Sequence, residues 1–173
     1  NSRIEFNKVD FADLLVLDIG SHLIDVAGIN YIFSSLPLER QGLEFLFKGR
    51  QYYAYINRYA FKKAYFANQY RQFSEKDSSE DIFDYLLDID DKQAAIISDS
   101  QITHTDLLLS KVPNYSIDFL KYNPNEIVLS VGTDSDGFLV LNDTYYPGWM
   151  VSVDGKEERI YRANMAFRAV FLK

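Results

Sequence analysis

Apolar side chains at positions 14, 15, 19, 23, 26 and 27 fall close to the helical period. They predict a helix over 11–27, which Gly20 interrupts and Gly28 stops. Asn30–Ser34 reads as a short buried strand closed by Pro37. Glu44–Phe47 and Gln51–Ile56 read as two strands joined by a hairpin turn at Lys48-Gly49-Arg50, and Ala64–Ala67 as a further strand. Asp77-Ser78-Ser79-Glu80-Asp81 is a helix start: serine oxygens can accept the free amide hydrogens of a first turn, and acids favour the positive end of the helix dipole. Ile82, Phe83, Leu86, Leu87 and Ile89 then share one face, and Ala94–Ser98 is strand-like.

From Ser116 onward the period changes to two. Ile127, Leu129 and Val131 alternate with polar or small residues, as do Trp149, Val151 and Val153, and Phe167, Ala169 and Phe171. Phe138–Leu141 is apolar without a break. Turns are marked by Asn123-Pro124-Asn125, Asp136-Gly137, Pro147-Gly148 and Asp154-Gly155; Asp-Gly between strands is a hairpin signal. The fold class expected is α+β: a mixed α/β N-terminal half (1–110), then an antiparallel β-sandwich or jelly-roll-like half (111–173), forming one unit.

Composition narrows the function classes. The chain has 173 residues, no cysteine, two histidines and a formal net charge of −7. Disulfides, thiolate nucleophiles and Cys-ligated metals are excluded, and a His-rich metal site is disfavoured. The acidic balance argues against a nucleic-acid partner. Charge is also segregated: residues 39–76 hold eight basic and three acidic side chains, and residues 77–110 hold one basic and nine acidic. The first segment is either a basic surface for an anionic partner, such as phospholipid headgroups or a phosphate polymer, or one of two solvated faces that attract each other.

Catalytic constellations are not evident. Phosphate-binding glycine loops, zinc-protease motifs and nucleophile elbows are missing from the sequence, so no catalytic residue, cofactor or metal is expected. Asp134-Ser135-Asp136-Gly137 lacks the remaining ligands of a calcium loop and reads as a tight turn. Aromatics are abundant: thirteen Tyr, thirteen Phe and one Trp. The densest cluster is Tyr145-Tyr146-Pro147-Gly148-Trp149. Sugar-binding β-sandwiches stack pyranose rings on exposed aromatics and bond the hydroxyls with Asp, Asn and Arg. Tyr145, Tyr146 and Trp149, with Asp143, Arg162 and Asn164 close in sequence, are therefore a candidate glycan site. The competing reading buries the Trp149 ring in the core.

The run from Phe138 through Tyr-Tyr-Pro-Gly-Trp (145–149), Val153-Asp154-Gly155-Lys156 and Asn164-Met165-Ala166-Phe167-Arg168 resembles the C-terminal extracytoplasmic segment of the bacterial YfhO family of multi-pass membrane proteins. This part covers about a fifth of the chain. Weaker echoes lie at Gly28–Ile32 and at Tyr55-Ile56-Asn57 with Ala60 and Ala64-Tyr65-Phe66. The family often has Pro-Arg where this chain has Lys62-Lys63, and it continues beyond the last strand into another strand and a membrane helix. A missing strand is expected to leave an open sheet edge.

The resemblance implies a parent similar to polyprenyl-phosphate-dependent membrane glycosyltransferases that decorate cell-envelope polymers such as teichoic acids. The catalytic acid of that class lies on a loop between membrane helices, so none is carried over to these residues. The expectation is an extracytoplasmic domain, an excised piece of a longer membrane protein, that positions glycan and is not catalytic by itself. Its partners would be the membrane-embedded remainder of its own chain and envelope glycan. The alternative is a purely structural or oligomerisation domain with no ligand, marked by an exposed apolar patch and no concave aromatic site.

Overall fold

The computed structural model describes residues 20–73, 78–89, 94–98 and 113–173. In chain order the elements are α1 (Leu23–Val26), β1 (Tyr31–Ser34), β2 (Leu43–Lys48), β3 (Tyr53–Asn57), β4 (Ala64–Ala67), β5 (Gln69–Phe73), α2 (Ser79–Asp88), β6 (Ala94–Ser98), β7 (Tyr115–Asn123), β8 (Glu126–Thr133), β9 (Gly137–Thr144), β10 (Val151–Val153), β11 (Lys156–Glu158), β12 (Tyr161–Ala163) and β13 (Phe167–Leu172). The fold is mostly β, with few helical residues. Positions 11–19 of the expected first helix and the expected 110/111 division lie outside the described residues.

The central element is a six-stranded sheet in the order β4-β9-β13-β12-β6-β5. Its two edge strands, β4 and β5, are separated in sequence by Asn68 alone. A single residue cannot span a flat six-stranded sheet, so the sheet curls until its edges approach at Asn68, which is fully buried. Strands from both halves of the chain build this sheet. The sheet therefore joins the two expected halves in one layer. Strand β13 is paired on both sides, by β9 and β12.

Alternation sorts the strand residues between two faces. Phe138 and Val140 of β9 and Ala169 and Phe171 of β13 point into the curl, with Tyr65, Ala67, Tyr70, Ile97 and Ala163. Phe138 makes edge-to-face contacts there with Tyr70, Tyr161 and Phe171 at ring separations of 4.8–5.2 Å. Leu139, Leu141, Val170 and Leu172 point outward, where the β7–β8 ribbon covers them with Ile117, Leu129 and Val131, and β10 adds Val151 and Val153. Both faces of β9 are covered, and this is why Phe138–Leu141 is apolar without a break.

Strand β5, α2 and β6 form a strand–helix–strand unit whose two strands are parallel. The Ser78 hydroxyl caps α2 by accepting the Asp81 amide at 3.0 Å, as the sequence predicts. Ile82, Tyr85, Leu86 and Ile89 pack that helix on the core. Strands β1, β3 and β2 form a separate three-stranded antiparallel sheet that includes the hairpin expected over 44–56, formed by Leu43–Lys48 and Tyr53–Asn57.

The two Asp-Gly signals have different outcomes. Asp154 and Gly155 adopt φ +50° and +78° and join β10 to β11, a two-residue hairpin with both central residues left-handed. Asp136-Gly137 joins no hairpin, because β8 pairs with β7 whereas β9 pairs with β4 and β13. The segment is instead a crossing between layers. Gly137 answers a close approach there: a Cβ would lie 2.6 Å from the Ala67 carbonyl oxygen and 2.7 Å from the Phe66 ring. Gly137→Ala should destabilise the fold by about 1–3 kcal/mol, because backbone must shift at the sheet's interior. A urea melt checks this, and an unchanged midpoint would contradict the close approach.

Candidate functional site

Asp143 continues the outward register of Leu139 and Leu141, which carries a carboxylate to the rim of the outer core. It is enclosed by donors. Tyr122, at the end of the β7–β8 ribbon, donates its hydroxyl to Asp143 Oδ2 at 3.0 Å. Arg168 Nη2 lies 3.0 Å from the same oxygen and Lys63 Nζ 3.8 Å from it. Oδ1 accepts the Thr144 amide at 3.0 Å. The carboxylate is thus an anchor for neighbouring donors.

The guanidinium of Arg168 is 4.1 Å from the centroid of the Trp149 ring and covers one face of it. Arg168 is buried and its Nε has no hydrogen-bond partner. Arg162 lies directly across from Arg168 in the β12–β13 pair, so the two side chains share the outward face. Arg162 stacks over Tyr145 at 5.1 Å. Each arginine of this like-charged pair therefore meets its own aromatic ring, and the 145–149 loop is laid over β12 and β13.

Trp149 is half-buried and borders three hollows. One, of about 110 Å³, is apolar and lies over Leu139, Leu141 and Val170. Two open clefts flank the ring. The first, of about 560 Å³, runs between Tyr122, Asn123 and Pro124 on one side and Asp143, Tyr146 and Arg168 on the other. The second, of about 490 Å³, lies between Asn125–Ile127 and Tyr146–Met150. They share Pro124, Tyr146 and Trp149 in their linings, so the two clefts adjoin at the Trp149 ring and together make up the groove of this site. Tyr146 stands 71% exposed at its lip.

Of the residues singled out by sequence, Asp143, Tyr146 and Trp149 meet in this groove. Tyr145 and Arg162 form the adjacent stack. Asn164 is not at the groove. It is buried with φ +45°, its Oδ1 accepts the Ile96 amide at 2.9 Å, and its Nδ2 donates to the Tyr65 hydroxyl at 2.6 Å. Burial raises the Tyr65 hydroxyl well above the ordinary phenol value, outweighing the opposing Asn164 bond. Arg168, Tyr122 and Lys63 were not picked out as site residues. The period-two register of β13, which places Arg168 beside Val170 and Leu172, is the signal that points to the first of them.

Among the described residues no cluster of three or more His, Asp or Glu side chains is placed to hold a metal ion. The Asp134 carboxylate of the calcium-loop-like stretch accepts from the amide and side chain of Asn114. No described helix is long and apolar enough to cross a membrane. No protein-family model, curated protein or solved structure matches the chain.

Proposed function

We propose that this chain is a glycan-positioning domain, accessory and not catalytic, on the extracytoplasmic side of a YfhO-like integral membrane protein that acts in cell-envelope polymer glycosylation. The observation that carries the glycan reading is the pair of adjoining clefts beside Trp149, with exposed Tyr146 at their shared lip and the Asp143–Arg168 pair at one wall. Aromatic edges and faces receive the C–H side of a sugar ring, while Asn123, Asn125, Thr144 and Glu126 offer polar groups along the walls. An open groove with several polar groups suits an extended, hydroxyl-rich chain better than a compact apolar ligand. The β7–β8 ribbon laid over β9 and β13 gives this region a local two-layer, sandwich-like arrangement. The membrane context rests on the resemblance of residues 138–170 alone.

The structural or oligomerisation alternative expects an exposed apolar patch without a concave aromatic site. An exposed apolar patch and a concave aromatic site both occur in this molecule, and the concave site supports the glycan reading. Calorimetric titration with oligosaccharides released from bacterial envelope polymers tests it. Trp149→Ala and Tyr146→Ala should each weaken binding by about tenfold, and the unfolding midpoint should hold in Tyr146→Ala, whose ring is exposed. No heat from any envelope oligosaccharide would count against the proposal.

A further inference from the structure

Four large apolar side chains left exposed, Phe33, Leu36, Phe47 and Tyr52, lie at one end of the β1–β3–β2 sheet. Phe33 of β1 pairs across Ala54 of β3 to Phe47 of β2, so both rings share a face. Tyr52 lies between them, edge-on to Phe33 at 5.5 Å and to Phe47 at 6.2 Å. Beneath them Ala54 is 1% exposed, but the rings are not covered in turn: Phe33 is 62%, Phe47 50% and Tyr52 42% exposed. Leu36, 68% exposed, follows directly after β1 at the same end. Three strands converge at this tip, because β1 and β2 finish there and β3 starts there.

The cations of the basic segment are distributed unevenly. Arg40 is buried against Asp25, and Arg58 is paired with Glu44 toward the opposite end of the sheet. Lys48 and Arg50 belong to the turn at the tip itself, and Lys48 Nζ lies 4.9 Å from the Tyr53 ring centroid. Neither residues 31–36 nor residues 47–56 contain an acid. The tip thus combines Phe, Leu and Tyr with two cations, the composition of segments that enter the boundary between lipid headgroups and acyl chains. A soluble phosphate polymer would need cations and hydrogen-bond donors but would have no use for Phe33, Leu36 and Phe47.

We infer that this sheet tip docks on an anionic bilayer surface, with Phe33, Leu36, Phe47 and Tyr52 entering the interfacial layer and Lys48 and Arg50 meeting lipid phosphates. The Trp149 groove plays no part in this contact. Docking would instead hold the domain close to the membrane by a second attachment.

Co-sedimentation of the chain with vesicles of phosphatidylcholine, with or without phosphatidylglycerol, provides the test. Binding should require phosphatidylglycerol and weaken as salt is raised. Lys48→Gln with Arg50→Gln should reduce partitioning by about 30-fold, since each cation near such a surface contributes about a factor of five. Phe33→Ser with Phe47→Ser should reduce it at least about tenfold with an unchanged far-ultraviolet dichroism spectrum, because neither ring fills the core. Three results would overturn the inference. The first is no binding to either vesicle. The second is equal binding to soluble polyphosphate that the Phe variants leave intact. The third is concentration-dependent self-association, abolished by the Phe variants, without vesicle binding.

Discussion

Asp25→Ala is expected to destabilise the fold by about 3–5 kcal/mol, the loss typical of breaking one side of a buried ion pair. Asp25 is 2% exposed and receives a two-pronged contact from Arg40, Nη1 to Oδ1 at 3.0 Å and Nη2 to Oδ2 at 2.6 Å. Asn57 Nδ2 adds a third donor at 2.7 Å, and the backbone carbonyl of Asp25 accepts the Phe61 amide at 2.7 Å. One residue thus ties α1, the segment before β2, the end of β3 and the approach to β4. Removing the carboxylate leaves a buried guanidinium without its counter-charge. Asp25→Leu with Arg40→Met should recover most of the loss, because two apolar groups need no partner there.

The same group sets part of the acid limb. Burial pushes the Asp25 carboxyl upward, but the hydrogen bonds from Arg40 and Asn57 and the Arg40 charge outweigh it and hold the group below its ordinary value of 3.8. A carboxylate with a lowered folded-state pKa stabilises the fold above its unfolded value. That contribution is lost as pH falls below 3.8 and through the folded value. Urea midpoints measured downward from neutral pH should therefore fall less in the Leu/Met double variant than in the native chain. Parallel curves would contradict the assignment.

Asn164→Ala should destabilise by about 2–3 kcal/mol without touching the groove. The Ile96 amide is left buried and unpaired, a loss of about 1–3 kcal/mol, and alanine fits the left-handed backbone of this position less well than asparagine does. Asn164→Gly removes the strain but not the orphaned amide, so it should recover only part of the loss. Its folded fraction should still bind whatever the groove binds. A variant that keeps native stability but loses binding would return Asn164 to the site that its sequence neighbours form.

Local chemistry was the most legible part of this sequence. The Ser78 cap, the Asp154-Gly155 hairpin and the stop at Gly28, whose φ is +69°, depend on a few adjacent residues. The double-sided burial of β9 was also written as an unbroken apolar run. Strand β5 was not visible because Gln69, Arg71 and Gln72 dilute its pattern and its buried residues, Tyr70 and Phe73, are three apart. An edge strand pairs on one side only, so it can carry such polarity. Partnership between strands was equally hidden. Asp136-Gly137 looks like a hairpin turn, yet the strands it separates belong to different layers.

The groove was half legible for the same reason. Asp143, Tyr146 and Trp149 are close in sequence, so a cluster search finds them. Tyr122, Lys63 and Arg168 reach Asp143 only through the register of β7–β8, the approach to β4, and β13. Asn164 shows the converse: proximity in sequence placed it with the site, whereas a left-handed turn directs its amide into the core.

The chain has a single tryptophan, so its intrinsic fluorescence reports the groove without a label. Titrating soluble envelope-polymer oligosaccharides into the native chain should give a saturable change in Trp149 emission. The change should shrink in Tyr146→Ala and follow the calorimetric binding curve. An emission spectrum unmoved by every oligosaccharide, from a chain shown to be folded, would contradict a glycan-binding groove at Trp149.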